Sequence, residues 1–91
     1  MTKIEIIIGS GSDSWCSNCK KTDVNIQKVL KENFPELEAT VDHINVTKPE
    51  NIKKYGSLMV PALIINDIVV HEGSIPPVGI IKRAITQILE Q

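Results

Sequence analysis

Aromatic side chains are scarce in this chain of 91 residues: one Trp, one Tyr and one Phe, 3% of the total. Its apolar content of 42% is therefore carried by aliphatic residues, and with 23% charged residues the composition is that of an ordinary globular domain, not of a disordered or fibrous chain. An excess of one charge is also missing. Ten Lys and Arg stand against eleven Asp and Glu, for a formal net charge of −1. That balance argues against the electrostatic footprint of a nucleic-acid or membrane-surface binder, so neither is expected as a partner. No apolar run is long enough to span a bilayer. Met1 leads almost at once into Lys3-Ile4-Glu5-Ile6-Ile7-Ile8, without the basic start, long apolar stretch and small-residue cleavage site of a secretory signal. The expectation is a cytoplasmic protein. The length suits one compact domain, residues 1–91, and is too short for two.

Cysteine is limited to Cys16 and Cys19. A bond between residues so close together closes a tiny loop and restrains little of the unfolded chain, so a structural staple is not expected. Beside β-α-β patterning in a small chain without export signals, this spacing reads as a redox pair first and as half of a metal site second. The pair lies in Ser14-Trp15-Cys16-Ser17-Asn18-Cys19-Lys20, which also holds the only tryptophan.

The flanking sequence gives this stretch its setting. Isoleucine-rich residues 3–9 predict a strand covered on both faces, and Gly9-Ser10-Gly11-Ser12-Asp13-Ser14 predicts a loop. That loop lacks the G-K-[ST] ending of a phosphate-binding loop. From Cys16 to about Asn33 the apolar positions Cys19, Ile26, Val29, Leu30 and Phe34 form one helical stripe, with Lys20, Lys28 and Lys31 off it. Cys19 falls on the core-facing stripe, and Cys16 at the exposed first turn. Pro35 cannot extend the helix.

Residues 37–46 alternate as a strand, with Leu37, Ala39 and Val41 on one side. Thr47-Lys48-Pro49-Glu50 matches a capping box opening a short helix from Lys48 to Tyr55, stopped at Gly56. Val60–Ile65 and Ile68–His71 flank Asn66-Asp67 as an antiparallel hairpin. Val78, Ile81, Ile85, Ile88 and Leu89 mark one face of a last helix, with Pro77 in its first turn. The order is β-α-β-α-β-β-α. Right-handed crossovers then give an α/β fold with a four-stranded mixed sheet and helices on both faces.

This order, with Trp15-Cys16-Ser17-Asn18-Cys19-Lys20 after the first strand and Pro61 opening the third, resembles the thioredoxin fold. The segment Tyr55-Gly56-Ser57-Leu58-Met59-Val60-Pro61 has the spacing of the thioredoxin segment leading into its cis-proline. Residues 60–67, with Val69, Val70 and Gly73, look more like the small glutaredoxin-like or redox-active disulfide branch. The resemblance implies a cis Val60–Pro61 bond, a Val60 backbone free to pair with an extended substrate, and a docking role for Trp15. It further implies protein-disulfide reductase activity on disulfide-bearing protein substrates, with a thioredoxin-reductase-like flavoprotein or glutathione as donor, in a monomer. The chain departs from thioredoxin at Ser10, where thioredoxin carries a buried Asp; Asp13 in the loop is a weak substitute.

Thiol exchange needs a thiolate, and a helix N-terminus lowers the pKa of a thiol placed there. That argument makes Cys16 the nucleophile and Cys19 the resolving thiol, with Ser17 and Asn18 tuning the potential and Lys20 and Lys21 adding positive charge. No cofactor is expected beyond the Cys16–Cys19 redox-active disulfide. The competing readings are a metal- or iron–sulfur-binding module built on the same cysteines and a thioredoxin-like scaffold for one specific partner. His43 and His71, the only histidines, read as surface or strand-end residues.

Overall fold

The computed structural model describes residues 3–90; the expected domain limits at residues 1 and 91 lie outside them. The elements are β1 (Lys3–Ser10), α1 (Ser17–Asn33), β2 (Glu38–Asn45), α2 (Pro49–Tyr55), β3 (Ala62–Ile65), β4 (Ile68–Glu72) and α3 (Val78–Leu89). The strands form one sheet in the order β2-β1-β3-β4. β2 runs parallel to β1, and β3 and β4 are antiparallel to their neighbours. This is the expected mixed α/β sheet with three helices.

Strand β1 is central, and its alternation explains the core. Ile4, Ile6 and Ile8 project to one face and are fully buried against Cys19, Ile26 and Val29 of α1 and Ile81 and Ile85 of α3. Burying each such side chain contributes about 1.5–3 kcal/mol relative to leaving it exposed. Strand β3 is buried at all four positions, as a strand flanked on both sides by other strands should be. Parallel pairing sets Ile4 beside Ala39, Ile6 beside Val41 and Ile8 beside His43, so these three β2 residues share the face that α1 covers.

Local chemistry shifts several expected boundaries. Helix α1 begins at Ser17 with Cys16 as its N-cap. Pro77 is likewise an N-cap, in extended conformation, and Val78 is 38% exposed instead of joining the buried face of α3. The capping box does not form: Lys48 is the N-cap of α2 and makes no side-chain cap bond. The Thr47 hydroxyl lies 2.6 Å from Asn45 Oδ1, which also accepts from the Thr47 amide. A short-range turn has taken the hydroxyl that the cap required.

The third strand starts at Ala62, two residues later than expected, after a cis Val60–Pro61 peptide bond. Asn66 and Asp67 take positive φ values of 50° and 64°, which suits a two-residue turn whose twist matches the strands it joins. A register irregularity between Leu63 and Ile64 has no counterpart in the sequence reading.

Candidate functional site

The site lies at the carboxyl ends of β1 and β2, where β1 runs through a serine-rich loop into α1. Cys16 and Cys19 are joined as a disulfide, with their Cα atoms 5.0 Å apart. Cys16 occupies the N-cap position, where a side-chain acceptor satisfies one of the unpaired amides of the first turn. Its Sγ accepts the Cys19 amide hydrogen at 3.0 Å. No acidic residue sits in the first turn of α1, so no like charge opposes a thiolate there.

The two cysteines differ in access. Cys19 is fully buried, with its Sγ 3.9 Å from the Gly9 carbonyl oxygen, whereas Cys16 is half-buried and Ser17, Asn18 and Lys20 are exposed. The helical stripe placed Cys19 inside correctly; Cys16 is less open than a first-turn position implied. Helix α1 is further tied down by Thr22, whose buried hydroxyl donates to the Asn18 carbonyl at 2.8 Å, and by Asn25, whose amide donates to the Pro76 carbonyl at 3.0 Å.

Register brings the distant proline to the same end of the sheet. Gly9 pairs with Ala62 in the antiparallel β1–β3 ladder, so Pro61, one residue before Ala62, lies level with Ser10, one residue after Gly9. Pro61 is buried, while Met59 and Val60 are 66% and 42% exposed. Gly9 is itself required by packing, because a Cβ there would collide with Val46 Cγ1 and come within 3.3 Å of Ala62 Cβ.

The part of the site that sequence reasoning missed is a polar corner beneath Trp15. Ser10 is 1% exposed. Its Oγ is 2.7 Å from His43 Nε2, 2.8 Å from the Ser12 carbonyl oxygen and 3.1 Å from that of Ser14. The Trp15 ring stacks on His43, with centroids 5.0 Å apart and planes at 24°. His43 is therefore a half-buried, bonded group near the carboxyl end of β2. The available signal was strand phase, since Ala39, Val41 and His43 follow one alternation and must share the buried face.

Asp13 is exposed and does not take the place of a buried acid. Its carboxylate accepts from Asn45 at 3.2 Å and pairs with Lys48 at 3.2 Å. The Asn45 hydrogen bond, then Lys48, holds it below the usual carboxylate range. Among the described residues, no three His, Cys, Asp or Glu side chains are grouped so as to hold a metal ion, and no helix is long and apolar enough to cross a membrane.

A mixed sheet of this order, with a disulfide-forming C-x-x-C at the head of α1 and a cis-proline opening β3, defines a thioredoxin-like redox domain. A family model described as a thioredoxin domain matches residues 2–86, and the chain belongs to that family. Among solved structures it is similar to a Staphylococcus aureus protein of unknown function. The two are 25% identical, with a TM-score of 0.67, over 99% of this chain and 94% of the other. A search of curated proteins returns no match.

Proposed function

We propose that this chain is a thiol–disulfide oxidoreductase that reduces protein disulfides, with Cys16 as nucleophile and Cys19 as resolving thiol. The observation that carries the reading is the N-cap position of Cys16, whose sulfur already accepts an amide hydrogen from the first turn. In the dithiol form that bond becomes charge-assisted when the sulfur is a thiolate, which favours ionisation.

The Cys16 thiolate attacks one sulfur of the substrate disulfide. A mixed disulfide forms, and the other substrate sulfur leaves as a thiolate. Cys19 then loses its proton and attacks Cys16 Sγ, closing the Cys16–Cys19 bond and releasing the second substrate thiolate. Two electrons have passed to the substrate. A flavoprotein reductase, glutathione or another dithiol returns them.

Burial of Cys19 supports its part in this sequence, since the resolving sulfur is shielded from outside disulfides until Cys16 is engaged. Trp15, 38% exposed, and Val60, 42% exposed, supply apolar surface for docking an extended substrate beside Pro61. Ser17, Asn18 and Lys20, exposed on the first turn, set the potential. A cytoplasmic monomer acting as reductant is the setting that fits this chemistry.

Insulin reduction driven by dithiothreitol tests the reading. Wild type is expected to turn over, Cys16→Ser to have no activity, and pre-reduced Cys19→Ser, freed of dithiothreitol before insulin is added, to trap a stoichiometric mixed disulfide. Absence of turnover in wild type would favour the scaffold reading, and stoichiometric zinc or iron in protein purified without reductant would favour a metal or cluster module.

A further inference from the structure

The turn that carries Pro61 is held by the far end of β4, and the bonds that hold it engage the backbone of every residue in it but one. Glu72, the last residue of β4, stands opposite Ala62 in the β3–β4 ladder, and Ala62 is the residue after Pro61. Glu72 Oε1 accepts the Met59 amide hydrogen at 3.0 Å. The next residue, Gly73, donates its amide hydrogen to the carbonyl oxygens of both Met59 and Pro61, at 3.2 and 3.1 Å. Met59 thus has both backbone groups engaged. Pro61 has no N–H to offer, and its carbonyl is engaged as well. Among the described residues, the Val60 amide and carbonyl have no hydrogen-bond partner within the chain.

One N–H and one C=O on an exposed residue suit an extended segment that presents the complementary pair, as in recognition by strand addition. Such docking is tighter where the receiving backbone is ordered beforehand, because less freedom is lost on binding. Residues 56–61 lie outside every helix and strand, and Met59 and Val60 are largely exposed, so packing does little to order them. The hydrogen bonds from Glu72 and Gly73 carry that task. Of the two, only Glu72 acts through a side chain, and only that contact can be removed without altering the backbone.

We infer that Glu72 is a positioning residue for substrate docking: its hold on the Met59 amide fixes the Val60 backbone where it can pair with an extended, disulfide-bearing segment of a protein. The inference rests on the thiol-exchange reading of Cys16 given above and on substrate pairing at Val60. Glu72 has no step in the exchange itself, so its loss weakens docking and leaves the chemistry intact. The bond to Met59 requires an acceptor and not a charge. A Gln side chain supplies that acceptor, and an Ala side chain does not.

Single-turnover oxidation of the pre-reduced full chain by insulin, measured across insulin concentrations, separates docking from chemistry. Glu72→Ala is expected to raise the half-saturating insulin concentration about 3–5-fold with the limiting rate unchanged, and Glu72→Gln to stay within about 1.5-fold of wild type. Hydroxyethyl disulfide, which is neutral and has no peptide backbone, should oxidise all three proteins at the same rate. Equal half-saturation in Glu72→Ala and wild type would overturn the inference. So would an equal rise in Glu72→Gln, or an equal loss with hydroxyethyl disulfide. Should Glu72→Ala fail to fold, Glu72→Asp, whose carboxylate is one methylene short of Met59, takes its place with the same expected rise. A wild type oxidised by neither disulfide would instead strike at the thiol-exchange reading, so the two failures are told apart.

Discussion

Two regions of the molecule hold nearly the same polar inventory. At the carboxyl ends of β1 and β2, His43 and Ser10 are 2.7 Å apart and Asp13 and Lys48 3.2 Å apart. Around the β3–β4 hairpin, His71 and Ser74 are 2.9 Å apart and Asp67 and Lys54 3.1 Å apart. The distances barely differ, but the surroundings do. Ser10 is buried among carbonyls and its histidine lies under Trp15, whereas Ser74 is exposed on the turn after β4. Water can replace a partner lost at the hairpin and cannot easily do so beneath Trp15, so burial, more than bond length, sets what each contact is worth.

The sharpest test of this contrast removes each serine hydroxyl. Ser10→Ala removes the hydrogen-bond partner of His43 Nε2 in a buried setting and is expected to cost about 1–2 kcal/mol in urea unfolding. Ser74→Ala should change stability by less than about 0.5 kcal/mol. Equal losses would break the comparison.

The ion pairs offer a finer test. Asp13 is held below its ordinary value of 3.8 by Asn45 and then Lys48, and Asp67 by Lys54 and then Tyr55. A carboxyl lowered in the folded state contributes its stability in full above the unfolded value, and that stability is lost as the pH falls through the folded value. Asp13→Asn and Asp67→Asn should therefore be slightly less stable than wild type at pH 6 and indistinguishable from it in strong acid. Both carboxylates are exposed, so 1 M salt should erase the difference. Of all the changes considered, these are expected to be the smallest. A persistent loss for Asp13→Asn alone in 1 M salt would show that its coupling to Asn45 and His43 extends beyond a screened surface pair.

Legibility in the sequence followed the range of the interactions. The α1 stripe, the Asn66–Asp67 turn and the stop at Gly56 (φ 81°) are local, and each could be read from residues within a few positions of one another. The C-x-x-C could be placed at a helix start for the same reason. The Ser10–His43 bond joins residues 33 apart through the β1–β2 register, which no short window contains. The capping box failed at the opposite extreme, because Asn45 offered Thr47 an even nearer partner. Ser10 looked like a gap in the thioredoxin pattern when considered alone; with its partner from β2 it is one end of a polar network.

The stack of Trp15 on His43 also has an optical consequence. The chain contains one Trp, so all indole emission arises from a ring that adjoins Cys16 in sequence and lies over an imidazole in space. Disulfides quench indole fluorescence by accepting an excited electron. Emission intensity thus reports on sulfur oxidation beside the ring. The protein carries its own indicator dye at the site where its chemistry is proposed to occur, and stopped-flow fluorescence can follow that chemistry without any added label.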